Sequence, residues 1–298
     1  MGDVHDEVKV ASGELEATFL PGQGMLGRSL RHLPSGDELL APARAPGREV
    51  DEMRGLPLLA PWANRLAGRR YSVDGVVVDL EGLDLTTDPN GLPIHGTIVD
   101  RPGWEVEAAG QAALRATFAY DAPDLLAAFP FPHTLTLDVA VEGTALTVAT
   151  TLRATGDRPV PVSFGFHPYL QLPGVARGDL VLRLPDRRHH LCLDDGLPTG
   201  EAVAEAAEAE PLGDRTFDDL YVLAGDDRTL GIEGGGRRLE VHLDEGYPWA
   251  QVFAPAGEAF VCLEPMTAPV NALVTGDGHR VPPGGSFTAT FSLHLVEG

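Results

Sequence analysis

The 298-residue sequence is poor in several features, and each shortage excludes something. It has two cysteines, Cys192 and Cys262, far apart and in no C-x-x-C pair. That excludes a disulfide framework and a paired-thiol redox motif, so two buried thiols in a reducing compartment are expected. Lysine is nearly missing: Lys9 stands alone, and every other cationic side chain apart from histidine is arginine. No long uninterrupted apolar run occurs, so no membrane-crossing helix is expected. The first ten residues, MGDVHDEVKV, carry no apolar stretch of the signal-peptide kind, and a cytoplasmic location is expected. Positive charge is scarce overall, with 22 bases against 44 acids and a net charge of −22. Such a surface repels phosphate backbones and anionic lipid, so neither nucleic acid nor membrane is an expected partner. A neutral small molecule suits it better.

What is present is a repeating β texture. Glu14 to Leu20 and the closing SFTATFSLHL alternate apolar and polar side chains. Tyr71 to Leu80 place Asp74-Gly75 between two apolar arms, a hairpin signal because a tight turn there needs positive φ. Trp104 to Tyr120, His133 to Ala154 and Leu230 to Leu243 repeat the plan, turning near Gly110, at Glu142-Gly143 and at Gly234-Gly235-Gly236. Many short strands with frequent turns argue for an all-β antiparallel sandwich or barrel. No linker or internal repeat divides the chain, and a single domain over residues 1–298 is expected. For Glu201 to Glu210, EAVAEAAEAE, a solvated surface excursion and a helix stand as equal expectations.

Several motifs are decoys. Gly22 to Gly27 match G-x-G-x-x-G, but the next segment runs into Pro34-Ser35-Gly36 and no strand–helix–strand unit can be drawn. Gly234 to Gly236 stand between two strands and make a turn rather than a phosphate cradle. His189 and His190 are adjacent on an expected strand, so they face opposite ways and cannot easily share an ion. No metal-ligand spacing appears, and neither metal nor cofactor is expected.

Four segments break the plain texture by setting polar or titratable side chains among Pro, Gly and aromatics. Pro61 to Leu66 offer Asn64 and the five-donor fork of Arg65 beside Trp62. Asn90 to Gly96 present His95 on a glycine-flanked backbone. Ser163 to Leu170 place His167 between Phe166 and Pro168-Tyr169, and the proline holds the preceding backbone extended. Val261 to Pro269 deliver Glu264 at the end of an apolar run, after which Pro265 is expected to stop the ladder. A carboxylate there is costly unless it has a partner or a task. Taken alone, each residue has a structural alternative: a salt-bridged Arg, a hydrogen-bonded core His, a buried ion pair.

Together and in this order, these segments resemble the aldose 1-epimerase, or galactose mutarotase-like, family. The resemblance implies a large antiparallel β-sandwich, the galactose mutarotase-like supersandwich, with a sugar in an open cleft. It implies that Glu264 is the general base and His167 the general acid. It further implies that Asn64, Arg65, His95, Asp218 and Gln251 bind substrate, with Asp219 an alternative to Asp218. The segment EPMTAPVNAL departs from the galactose-specific pattern, which leaves the sugar open.

The implied reaction suits these residue types. A base takes the proton of the C1 hydroxyl, an acid protonates the ring oxygen, the C1–O bond opens, and rotation about C1–C2 precedes reclosure. The resting state expected is Glu264 ionised and His167 protonated, near opposite faces of the anomeric centre. Two alternatives share the fold. A hexose-6-phosphate 1-epimerase would need Arg69, Arg70 or Arg101 for the phosphate, and a sugar-binding module would need no acid or base. The chain is expected to act as a monomer or homodimer.

Overall fold

The structure, a computed structural model, describes residues 7–42, 54–108 and 110–298. Part of the N-terminal stretch read above, residues 1–6, lies outside them.

Strands dominate, as the period-two alternation requires. A nine-stranded antiparallel sheet contains Glu105–Ala108, Ala113–Tyr120, His133–Glu142, Ala145–Ala154, Val181–Leu184, Glu208–Pro211, Thr229–Gly234, Arg237–Glu245 and Ser286–Glu297. A second sheet runs Pro198–Glu205, Arg187–Cys192, Phe217–Leu223, Trp249–Ala254, Val261–Met266, Gly165–Phe166 and Leu58–Leu59, with Tyr169–Leu170 also pairing Val261–Met266. The two sheets share one apolar core: Leu137, Val148 and Phe291 of the first belong to the same cluster as Tyr221, Val252 and Leu263 of the second. Phe166 joins it against Phe291, ring centroids 4.9 Å apart.

The expected hairpins form. Asp74 (φ 51°) and Gly75 (φ 79°) both take the left-handed region between Arg70–Val73 and Val76–Asp79, as a tight two-residue turn demands. The G-x-G-x-x-G segment is a short 3-10 turn followed by the strand Leu26–His32, with no helix behind it.

Three expectations are corrected. Residues 201–210 form no helix; they are mostly exposed, as a solvated surface segment would be, but they are strand rather than irregular. All but 206 and 207 lie in the edge strands Pro198–Glu205 and Glu208–Pro211, where ladder bonds to the neighbouring strands outweigh the helix propensity of Ala and Glu. Pro265 does not end its strand, which continues to Met266. Of the two thiols, Cys262 is buried but Cys192 is only half-buried, and both are free.

The second sheet has two unlike faces. Alternate residues Ala250, Val252 and Ala254, with Leu263 and Tyr221, point into the core. Their neighbours Gln251, Phe253, Glu264, Asp218 and Leu220 point the other way. That outer face, roofed by loops from the first hundred residues, carries the polar cluster.

Candidate active site

Register places the acid and the base. Gly165 pairs with Met266 and Tyr169 pairs with Cys262, so His167 falls opposite Glu264. On the far side Glu264 pairs with Gln251, and Gln251 with Leu220. Gln251 and Glu264 thus share a row across two neighbouring strands, and His167 extends it from the link between Gly165–Phe166 and Tyr169–Leu170. The backbone N–H of His167 donates to Pro57 O at 3.1 Å, away from Glu264, and Pro168 has no N–H to give. The imidazole stacks on Tyr169, centroids 4.4 Å apart and planes within 12°. Held so, His167 Nε2 lies 3.2 Å from Glu264 Oε1.

Both members of this pair are buried, His167 at 4% and Glu264 at 1% exposure. Burial acts on each in the direction that removes its charge. It pushes His167 down to about 3, with Arg65 adding to the effect. It pushes Glu264 well above the usual carboxylate range, helped by Asp218 and opposed by Arg65. The expected resting pair of carboxylate and imidazolium is therefore corrected: burial favours the neutral pair, one proton held between the two. The expected placement on opposite faces is corrected too, because the groups stand side by side.

His95 comes from a loop that bridges back to the segment before it. Ala60 bridges Gly96, Arg65 bridges Ile94, and the His95 N–H donates to Asn64 O at 3.1 Å. Asn64 (φ 56°), His95 (φ 64°) and Gly96 (φ 73°) all adopt left-handed backbone, which turns the side chains at 64 and 95 toward the sheet. The His95 ring meets His167 edge-on, centroids 5.4 Å apart. Burial first, then the neighbouring His167 and Arg65, hold His95 well below its ordinary pKa, so it is neutral.

Arg65 is the hub. Its Nε donates to Asp88 Oδ2 at 2.9 Å, Nη1 to Asn64 Oδ1 at 3.1 Å and Nη2 to Asp218 Oδ2 at 3.0 Å. Burial opposes its charge, but Asp218 and Asp88 outweigh that and hold it more firmly protonated than usual. Asp218 Oδ1 in turn accepts from Gln251 Nε2 at 2.7 Å. Asp219 faces the reverse side of the sheet, 3.2 Å from His189 Nε2, so Asp218 is the member of that pair that joins the cluster.

All seven residues singled out from the sequence therefore meet in one connected constellation. Within it, His95 Nδ1, His167 Nδ1, Gln251 Oε1 and Glu264 Oε2 are buried without a partner. Buried polar atoms are usually paired, and four orphans within one cluster set it apart from the ordinary core. Of the aromatics flanking His167, Phe166 turns into the core and Tyr169 backs the imidazole. Asp88 was not singled out, although Asp-x-Asn-Gly is a turn signature that marks it. The arginines expected for a phosphate are occupied. Arg69 donates to Leu80 O and Leu83 O, Arg70 pairs with Asp79, and Arg101 pairs with Asp124.

A large two-sheet antiparallel sandwich with such a cluster on its outer sheet face is the galactose mutarotase-like fold. The aldose 1-epimerase family profile matches residues 42–294, and the chain belongs to that family. Solved structures agree on the fold. A galactose mutarotase-like protein from Clostridium acetobutylicum superimposes with a TM-score of 0.84 at 18% identity, covering 99% of this chain and 96% of that one. A galactose mutarotase related enzyme from Lactobacillus acidophilus gives 0.81 at 18% identity, covering 98% of each. Galactose 1-epimerase from Lactobacillus acidophilus NCFM gives 0.77 at 16% identity, covering 98% and 94%. Among curated proteins, none matches the chain in sequence.

Proposed function

We propose that this protein is an aldose 1-epimerase that interconverts the α and β anomers of an aldose by opening and reclosing its ring. The observation that carries the reading is the 3.2 Å contact between His167 Nε2 and Glu264 Oε1, on a buried face with their second polar atoms unpartnered.

The C1 hydroxyl oxygen and the ring oxygen are bonded to the same carbon. Two adjacent side chains can therefore serve both, whereas groups on opposite sides of the ring would be harder to align. From the neutral pair, the shared proton first passes from Glu264 Oε1 to His167 Nε2 across their 3.2 Å contact; Glu264 then takes the C1 hydroxyl proton while His167 gives its proton to the ring oxygen, and the C1–O bond breaks. This leaves Glu264 protonated and His167 neutral, the state that burial favours. The open chain is thus reached without leaving an unpaired charge in the site. Rotation about C1–C2 presents the other carbonyl face, and the same two transfers in reverse close the ring. The pair ends with the proton count it began with, so no redox partner is needed. Neutral His95 is assigned to the ring oxygen, and Arg65, Asn64, Asp218 and Gln251 to the sugar hydroxyls. Preorganised donors of this kind stabilise charge where it develops.

The test is optical rotation of freshly dissolved α-glucose and α-galactose, with further neutral aldoses in the panel. Acceleration over buffer supports the proposal. No acceleration with any sugar would overturn it.

A further inference from the structure

We propose that Asp88 is a positioning residue that, through one buried carboxylate, fixes both the guanidinium of Arg65 and the turn that presents His95. This inference rests on the epimerase reading above.

The Asp88 side chain is 1% exposed. A carboxylate so placed is costly unless nearly every lone pair is used. Here three donors reach it. Oδ1 accepts the backbone N–H of Asn90 at 2.9 Å and of Leu92 at 2.8 Å, and Oδ2 accepts Arg65 Nε at 2.9 Å. The backbone closes the same turn. Asp88 N–H donates to Leu92 O, Gly91 N–H to Asp88 O, and Thr87 bridges Pro93. The chain then runs straight into Ile94, which bridges Arg65, and into His95. One oxygen thus shapes the loop and the other holds the arginine.

The hold on Arg65 leaves it donors to use. A guanidinium has five N–H bonds, and Asp88, Asn64 and Asp218 take three of them, one from each nitrogen. The single Nε–H is spent on Asp88, so the remaining two are on Nη1 and Nη2. Without Asp88 the fork keeps only the neutral Asn64 oxygen and Asp218, whose side chain is 41% exposed, and is freer to swing about its long stem. A well-placed fork would become a mobile one, and binding of the sugar hydroxyls would suffer before the proton transfer itself.

The variant Asp88→Asn separates the two duties. Its amide oxygen can still accept from Asn90 and Leu92, while its NH2 meets the Arg65 Nε–H donor to donor. The expected result is a KM raised about 10- to 100-fold, the range for loss of a charged hydrogen bond, with kcat changed far less. Thermal unfolding should fall, because the buried pair with Arg65 is broken, while the transition stays cooperative and above the assay temperature. In an Arg65→Ala background the same change should have little further effect on KM. Wild-type KM for Asp88→Asn, or an undiminished effect on top of Arg65→Ala, would overturn the proposal.

A second readout does not depend on activity. The 15Nε–1H resonance of Arg65, identified by its loss in Arg65→Lys, should be sharp and slow to exchange in the wild type and broadened in Asp88→Asn. An unchanged resonance would overturn the anchor. If the wild type opens no sugar, the epimerase reading falls, and this resonance still decides whether Asp88 orders Arg65.

Discussion

His167 and Glu264 are cross-strand neighbours, matched in register and 3.2 Å apart, on the outer face of a sheet whose other face is core. Neither residue has freedom to leave that arrangement. His167 is stacked on Tyr169, and Glu264 is locked in a strand buried on both sides. The account of the protein as an acid–base ring opener follows from this pair.

Removing the base should stop the reaction and spare the fold. Glu264→Gln keeps volume and hydrogen bonding, so thermal unfolding should stay within a few degrees. Its kcat should fall roughly 10²- to 10⁴-fold, the usual contribution of one general acid–base group. His167→Gln should lose a comparable factor. Polarimetric rates beside a melting curve check both at once.

Of the two adjacent aspartates, only Asp218 should matter to the sugar. Asp218→Asn weakens its links to Arg65 and Gln251 and should raise KM several-fold. Asp219→Asn disturbs only the reverse face near His189 and should leave KM unchanged. Parallel KM measurements on the two variants decide this.

Two glycines should respond differently to an added side chain. Gly96 has φ 73°, and a Cβ there would sit 2.1 Å from Ala60 O, so Gly96→Ala should be severely destabilised or insoluble. Gly196 has φ 78°, and a Cβ there would lie 2.7 Å from Arg65 Nη1. The guanidinium is the movable partner in that clash. Gly196→Ala should therefore fold, at some cost in stability, but bind sugar more weakly. Calorimetric melting and KM separate the two outcomes.

Stability should decline in acid through buried neutral histidines. His133 is 1% exposed, donates Nδ1–H to Phe131 O at 2.7 Å, and is pushed down by burial to about 4. In the unfolded chain it titrates near its ordinary 6.5. The depressed folded pKa means that the unfolded state binds the extra proton first. The stability is intact above pH 6.5 and is lost progressively as pH falls to about 4. The full loss from this residue is on the order of 3 kcal/mol. Urea midpoints measured between pH 7 and 4 should fall steeply in the wild type and less steeply in His133→Phe.

Much of this was legible in the sequence, and the gaps have physical causes. Strand texture and turns such as Asp74-Gly75 follow from local side-chain alternation and positive-φ residues, so they could be read directly. The edge strands at 201–210 could not, because Ala and Glu carry helix propensity and the ladder bonds that override it come from distant segments. The site residues stood out because their short motifs sit among Pro, Gly and aromatics. Their mutual geometry did not, since the register that sets His167 opposite Glu264 joins segments nearly a hundred residues apart. The protonation preference of the pair was misjudged for the same reason: burial is set by the packed fold, and no local pattern announces it. Asp88 was passed over because its partner Arg65 lies 23 positions away.

The most direct test is proton exchange spectroscopy at equilibrium, following magnetisation between the H1 signals of the α and β anomers of an aldose. The account predicts exchange cross-peaks in the presence of the wild type, and their loss with Glu264→Gln and with His167→Gln. Exchange no faster than in buffer for every sugar tried, or wild-type exchange in Glu264→Gln, would contradict it.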